Sequence, residues 1–167
     1  MSPVQDFTVA LYQPDIAGNT GAILRLAACF GFEVQLIGPA GFNTSDRAFR
    51  RAGMDYLELA ALRRHDDWTA FEAWRRSKAM RLVLFSTRAR EPHTGFAFRP
   101  GDVLLFGRES CGVPDAVHAA ADARVTIAMP GGGRSLNLAM AVAIGAGEAM
   151  RQIGRHHALP ADDSISK

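Results

Sequence analysis

Val125 to Ile153 reads VTIAMPGGGRSLNLAMAVAIGAGEAMRQI, and the fold turns on how this stretch divides. The β-branched run Val125, Thr126 and Ile127 predicts a strand reaching Met129 and Pro130; three glycines follow, and Ser135 then opens a long apolar segment of helical character. A strand, a tight loop and a helix start expose unpaired backbone N–H groups, and glycine lets main chain come close to a ligand. Taken alone, the junction also reads as an ordinary βα turn. A second polar loop carrying glycine lies upstream, GRESCGVP from Gly107 to Pro114. It too follows a buried strand, DVLLF, and the pair suggests one shared site.

Outward from this stretch the chain alternates. Apolar runs predict strands over Phe7–Tyr12, Val34–Ile37, Tyr56–Ala61, Leu82–Phe85, Asp102–Phe106 and Val125–Met129. Between the first two, Asn19 or Thr20 is expected to cap a helix with Ile23, Leu24, Leu26, Ala27 and Phe30 as its buried stripe, Arg25 as its one charge and Gly31 as its stop. DRAFRRAG reads as a short basic helix. His65–Lys78 reads as an amphipathic one, with Trp68, Phe71 and Trp74 turned to the core. A helix over Asp115–Ala121 begins with Pro114, and the last one ends near Gly154. Strands that are continuously apolar predict an α/β fold with a mostly parallel sheet covered by helices on both faces. Ligands then bind beyond the carboxyl ends of the strands, where Phe85, Phe106 and Met129 lead into polar or glycine-bearing loops.

Composition narrows the class. At 167 residues the chain fits one domain, expected over residues 1–154, with a polar tail over 155–167. Hydrophobic content of 48% and charged content of 22% suit a soluble globular protein, and no run approaches the roughly 18 apolar residues of a membrane span. The N-terminus shows no basic region followed by a long apolar one, which predicts a cytoplasmic location. Cys29 and Cys111 read as reduced thiols, and the five scattered histidines have no zinc spacing, so no metal is expected. Of the 19 basic residues 17 are arginine, which suits phosphate binding, although codon bias produces the same ratio. The sequence lacks a GxGxxG after its first strand, a Walker lysine and a GxSxG; dinucleotide, ATP and hydrolase readings lose their usual support.

Three blocks, PDIAGNTGAILR (Pro14–Arg25), LLFGRESCGVP (Leu104–Pro114) and IAMPGGGRSLNLAMAVAI (Ile127–Ile144), together resemble the three motifs of the SPOUT class of RNA methyltransferases, in its SpoU/TrmH-like branch. The likeness runs from Phe7 to Gly154, and the lack of an added RNA-binding segment makes it most similar to the minimal TrmL type. That resemblance implies a C-terminal deep trefoil knot, a homodimer paired through the first and last helices, and S-adenosylmethionine as methyl donor. The implied reaction is 2′-O-methylation of cytidine or uridine 34 in the anticodon loop of tRNA, in leucine isoacceptors. The cofactor is expected among Phe85, Gly107, Ile127 and Ser135, with the GGG of Gly131–Gly133 a departure from the family pattern. Arg25 is the implied activator of the hydroxyl, with Asn19, Glu109, Ser135 and Asn137 as the other polar motif positions. Arg47, Arg50, Arg51 and Arg134 are candidate phosphate contacts. Competing readings are a 2′-O-methyltransferase acting on ribosomal RNA or another tRNA position, a catalytically silent knotted RNA-binding protein, and a flavodoxin-like small-molecule binder.

Overall fold

The structure is a computed structural model describing residues 6–43, 47, 51 and 61–154. Six strands form one parallel sheet: β1 (Phe7–Tyr12), β2 (Glu33–Ile37), β3 (Leu62–His65), β4 (Leu82–Phe85), β5 (Asp102–Phe106) and β6 (Ala123–Val125). Their order is β3-β2-β1-β5-β4-β6. The described residues also form helices α1 (Ala17–Phe30), α2 (Trp68–Ser77), α3 (Asp115–Ala120) and α4 (Leu138–Ile153). Among the described residues no helix is long and apolar enough to cross a membrane.

The continuous apolar strands have a simple cause. Successive side chains point to opposite faces, so Val9, Leu11, Val34, Leu36, Val83, Phe85, Leu104 and Phe106 enter one core with α1 and α4. Ala10, Tyr12, Ile37, Leu82, Leu84, Val103 and Leu105 enter a second core with Phe71 of α2 and Val117 of α3. Trp68 and Trp74 pack against this second core, as their spacing predicts.

Helix ends depart from the sequence reading in instructive ways. Gly31 stops α1 as expected, at φ 75° with its N–H on the Ala27 carbonyl. The helix starts earlier than predicted, however: Ile16 is the N-cap, so neither Asn19 nor Thr20 caps it. Ile23, Leu24 and Ala27 are buried, whereas Arg25 is exposed and lies off the apolar stripe. His65 closes β3 instead of opening α2, and Asp67 caps α2 by accepting from the Ala70 N–H at 2.8 Å. Of the third strand predicted over Tyr56–Ala61, residues 56–60 lie outside the described residues, as do Arg50 and the tail 155–167.

The deciding stretch divides later than its residues suggest. β6 ends at Val125, and Thr126 leaves the sheet to bond the β4–β5 connection. Its N–H donates to the Glu91 carbonyl at 2.8 Å, and the His93 N–H donates to the Thr126 carbonyl at 2.9 Å. Proline and three glycines keep the next residues out of helix. Asn137, not Ser135, caps α4, its Oδ1 accepting from the N–H groups of Ala139 at 2.9 Å and Met140 at 3.3 Å.

The small residues of α4 have at least one intrachain cause. A methyl group at Gly145 would sit 2.8 Å from the Phe85 ring, and that ring is stacked on Phe106 at 4.6 Å. Gly145→Ala should therefore destabilise the protein by about 1 kcal/mol, because overpacking costs roughly 1–3 kcal/mol and helix propensity returns about 1. Thermal unfolding should show a midpoint lower by about 2–4 °C.

Candidate active site at the strand ends

The carboxyl ends of β4 and β5, with the segment that follows β6, open into a cleft of about 360 Å³. Small-molecule sites span roughly 300–1,000 Å³. Phe85 and Phe106 give it apolar surface, the loop from Gly107 to Val113 gives it backbone, and Ile127, Met129 and Ser135 line it from the last crossing. Of the residues singled out in the sequence, Phe85, Gly107, Glu109, Ile127 and Ser135 meet here. Arg25, Arg47, Arg51 and Arg134 are exposed and do not line the cleft.

Glu109 ties the site together. One carboxylate oxygen accepts from the Asp15 N–H at 2.7 Å; the other accepts from the Ile16 N–H at 3.2 Å and from Asn19 Nδ2 at 3.3 Å. The carboxylate thus does from a distant loop what a local cap would do for α1, with the positive end of the helix dipole in front of it. Asn19 passes the connection on. Its oxygen accepts from Asn137 Nδ2 at 3.0 Å, and Asn137 in turn caps α4. Asn19 and Asn137 stand beside the cleft as links between loops.

Three residues that sequence reading did not single out reinforce the same junction. Asp15 Oδ1 accepts from Arg108 Nη2 at 2.5 Å and Nε at 3.1 Å, while Oδ2 accepts from the Ser110 hydroxyl at 2.7 Å and N–H at 3.1 Å. The Arg108 bond first, then those of Ser110, hold the Asp15 carboxyl down at about 2. The available signal was adjacency: Arg108, Glu109 and Ser110 are consecutive, and all three side chains engage the single turn that begins at Asp15.

Gly107 has a reason other than the expected ligand approach. Arg108 and Gly112 exchange two backbone hydrogen bonds, both 2.9 Å, and a methyl group at Gly107 would fall 2.6 Å from the Gly112 Cα. The loop closes on itself, and only glycine permits it.

His118 of α3 also lines the cleft. Arg124 Nε donates to its Nδ1 at 3.2 Å and to its carbonyl at 2.8 Å. Burial first, then the charges of Arg88 and Arg124, hold the imidazole below its usual pKa. Its Nε2 is buried without a hydrogen-bond partner. A cleft with the Phe85 and Phe106 rings and the Gly107–Val113 loop in its wall fits a nucleoside-containing cofactor.

Residues 6–146 match the model of the SpoU rRNA Methylase family, and the chain belongs to that family. More closely, it is 60% identical over 146 residues to a tRNA (cytidine(34)-2′-O)-methyltransferase of Beijerinckia indica, covering 87% of this chain and 91% of that one. A structure solved for work on 2-OH methylation of C/U34 on tRNA superimposes with a TM-score of 0.84 at 43% identity, covering 87% of this chain and 95% of the other. An AdoMet-bound rRNA methyltransferase from Sinorhizobium meliloti superimposes at 0.80 with 28% identity, covering 87% of this chain and 56% of that one.

Asp15→Asn should lower the thermal midpoint at pH 7, since the amide leaves Arg108 and Ser110 poorly matched. The folded carboxyl titrates below its unfolded value of roughly 3.9, so its contribution is present above that pH and fades as pH falls toward 2. Unfolding curves of parent and variant should converge over that window. Gly107→Ala should lower the thermal midpoint by several degrees, because the added methyl group would fall 2.6 Å from the Gly112 Cα and the loop cannot close.

Proposed function

We propose that this protein transfers the methyl group of S-adenosylmethionine to the ribose 2′-hydroxyl of the wobble nucleotide, cytidine or uridine 34, of tRNA, in leucine isoacceptors. The observation that carries this reading is the meeting of Phe85, Gly107, Ile127 and Ser135 in one cleft at the strand ends, with Asn19, Glu109 and Asn137 bonded beside it. Relatives sharing most of this length are named tRNA (cytidine(34)-2′-O)-methyltransferase, which supports the tRNA substrate and the position.

The cofactor supplies a methyl group on a sulfonium centre, open to in-line displacement. Phe85, Gly107, Ile127 and Ser135 hold it, and the Glu109–Asn19–Asn137 chain keeps their loops in register. Positioning the hydroxyl against the methyl accounts for much of such a barrier. Arg25 orients the RNA phosphate and stabilises developing alkoxide; a guanidinium does not give up its proton, so solvent is the eventual acceptor. Arg47, Arg50, Arg51 and Arg134 contact phosphates of an anticodon loop, where an unstacked nucleotide presents its ribose without opening a duplex.

The same reading includes a cytoplasmic homodimer of one domain, residues 1–154, and the trefoil knot. Pairing of Thr126 with the β4–β5 connection supports a chain threaded there. Met140 and Ile144 are exposed one turn apart on α4, and Ile16 and Leu136 are exposed as well. Such an apolar face supports a two-fold interface. Arg25 is exposed on α1, which packs on α4, and Leu136 belongs both to this face and to the cleft.

The test is transfer of labelled methyl to unmodified tRNA and to tRNA from a strain lacking the gene, with nucleoside mapping. Label in 2′-O-methylcytidine or 2′-O-methyluridine at position 34 is expected; label only in ribosomal RNA or at another tRNA position would overturn the assignment. Arg25→Lys should cut turnover at least about a hundredfold with S-adenosylhomocysteine binding intact, since lysine lacks the planar fork. Near-normal turnover would contradict the role given to Arg25.

A further inference from the structure

We infer that Arg88 is a cofactor-contacting residue, the Nε–Nη2 edge of its guanidinium receiving the carboxylate at the amino-acid end of S-adenosylmethionine. The inference rests on reading the cleft as the S-adenosylmethionine site.

Arg88 stands where two walls of the cleft meet. It follows Ser86 and Thr87 at the end of β4, all three residues line the cleft, and its N–H is held on the Ser86 hydroxyl at 3.1 Å. Its guanidinium reaches across to Asp115 at the start of α3, just beyond the lining residue Val113, and Nη1 donates to Asp115 Oδ1 at 2.8 Å. Root and tip of the side chain are thus both fixed beside the cleft. The Arg88 side chain is 61% exposed and that of Asp115 91%, so a molecule entering the cleft meets the charge without displacing packed chain. The hydrogen bonds of this guanidinium use Nη1 only. The edge made by Nε and Nη2, which matches the two oxygens of a carboxylate, is open.

The other charged groups of the lining are committed elsewhere. Arg108 gives its own Nε and Nη2 to Asp15, and the Glu109 carboxylate accepts from the N–H groups of Asp15 and Ile16. Burial first, and then the charge of Arg88 itself, oppose a proton on His118. The cofactor carries a carboxylate that is costly to desolvate unpaired, while its adenine suits the buried rings of Phe85 and Phe106. The nucleoside therefore takes the apolar floor and the amino-acid end the exposed rim at Arg88. The pair with Asp115 is no obstacle, because an ion pair so exposed is weakly held and occupies a different nitrogen.

The experiment compares S-adenosylhomocysteine with its decarboxylated analogue, which keeps the nucleoside, the sulfur and the amine. By calorimetry the parent should bind S-adenosylhomocysteine about tenfold more tightly than the analogue, in the range of one charge-assisted pair. Arg88→Gln should lose about tenfold in affinity for S-adenosylhomocysteine and nothing for the analogue, and Arg88→Lys, which keeps the charge without the fork, should fall between. An equal loss for both ligands, or a folded Arg88→Gln that binds S-adenosylhomocysteine like the parent, would overturn the inference. So would a variant weakened only toward tRNA, which would assign the guanidinium to an RNA phosphate. A parent that binds both ligands equally well overturns the contact whatever the variants do, and this comparison decides alone should neither variant fold. If the parent binds neither ligand, the reading of the cleft itself falls.

Discussion

The Glu109 carboxylate is the group on which the arrangement of the site depends. It faces two backbone N–H groups at the start of α1 and a side-chain amide, with no cation paired to it among the described residues. A carboxylate in that position is stabilised by the N–H groups a helix start leaves unpaired and by the dipole behind them. The bonds are charge-assisted, stronger and more directional than neutral ones. Because donor and acceptor come from segments more than ninety residues apart, the start of α1 is fixed by the loop after β5.

Sheet topology makes that meeting unavoidable. β1 and β5 are adjacent and parallel, with Leu11 opposite Phe106, so the loops leaving both strands emerge side by side. Arg108, Glu109 and Ser110 then reach the turn at Asp15 within two to four residues of the sheet. The backbone of the same loop faces the cleft. One short segment therefore helps to wall the cleft and holds α1 with its side chains, and glycine at position 107 allows its tight closure on Gly112. Asn137 extends the unit to α4, so the helices that carry the exposed apolar face are tied to the cleft.

Much of this was legible in the sequence. Continuous apolar runs at Val83–Phe85 and Val103–Phe106 gave the parallel sheet, because only a strand covered on both faces reads that way. Strand-end Phe85 and the motif residues Gly107, Glu109, Ile127 and Ser135 share the cleft. What the sequence hid were partners set by tertiary contact. Asn19 and Ser135 have the chemistry of caps, yet Ile16 and Asn137 hold those positions, since a remote carboxylate serves α1 and glycines delay α4. Asp15 and Arg108 look like solvated loop charges until β1 and β5 are placed together.

The most direct measurement of the central claim is backbone hydrogen exchange in Glu109→Ala beside the parent protein. If the Glu109 carboxylate holds the start of α1, the amides of Asp15 and Ile16 are protected in the parent and lose that protection in the variant, while the strand amides of β1 and β5 keep theirs and S-adenosylhomocysteine binding weakens. Unchanged protection at Asp15 and Ile16, with ligand affinity preserved, would contradict the account.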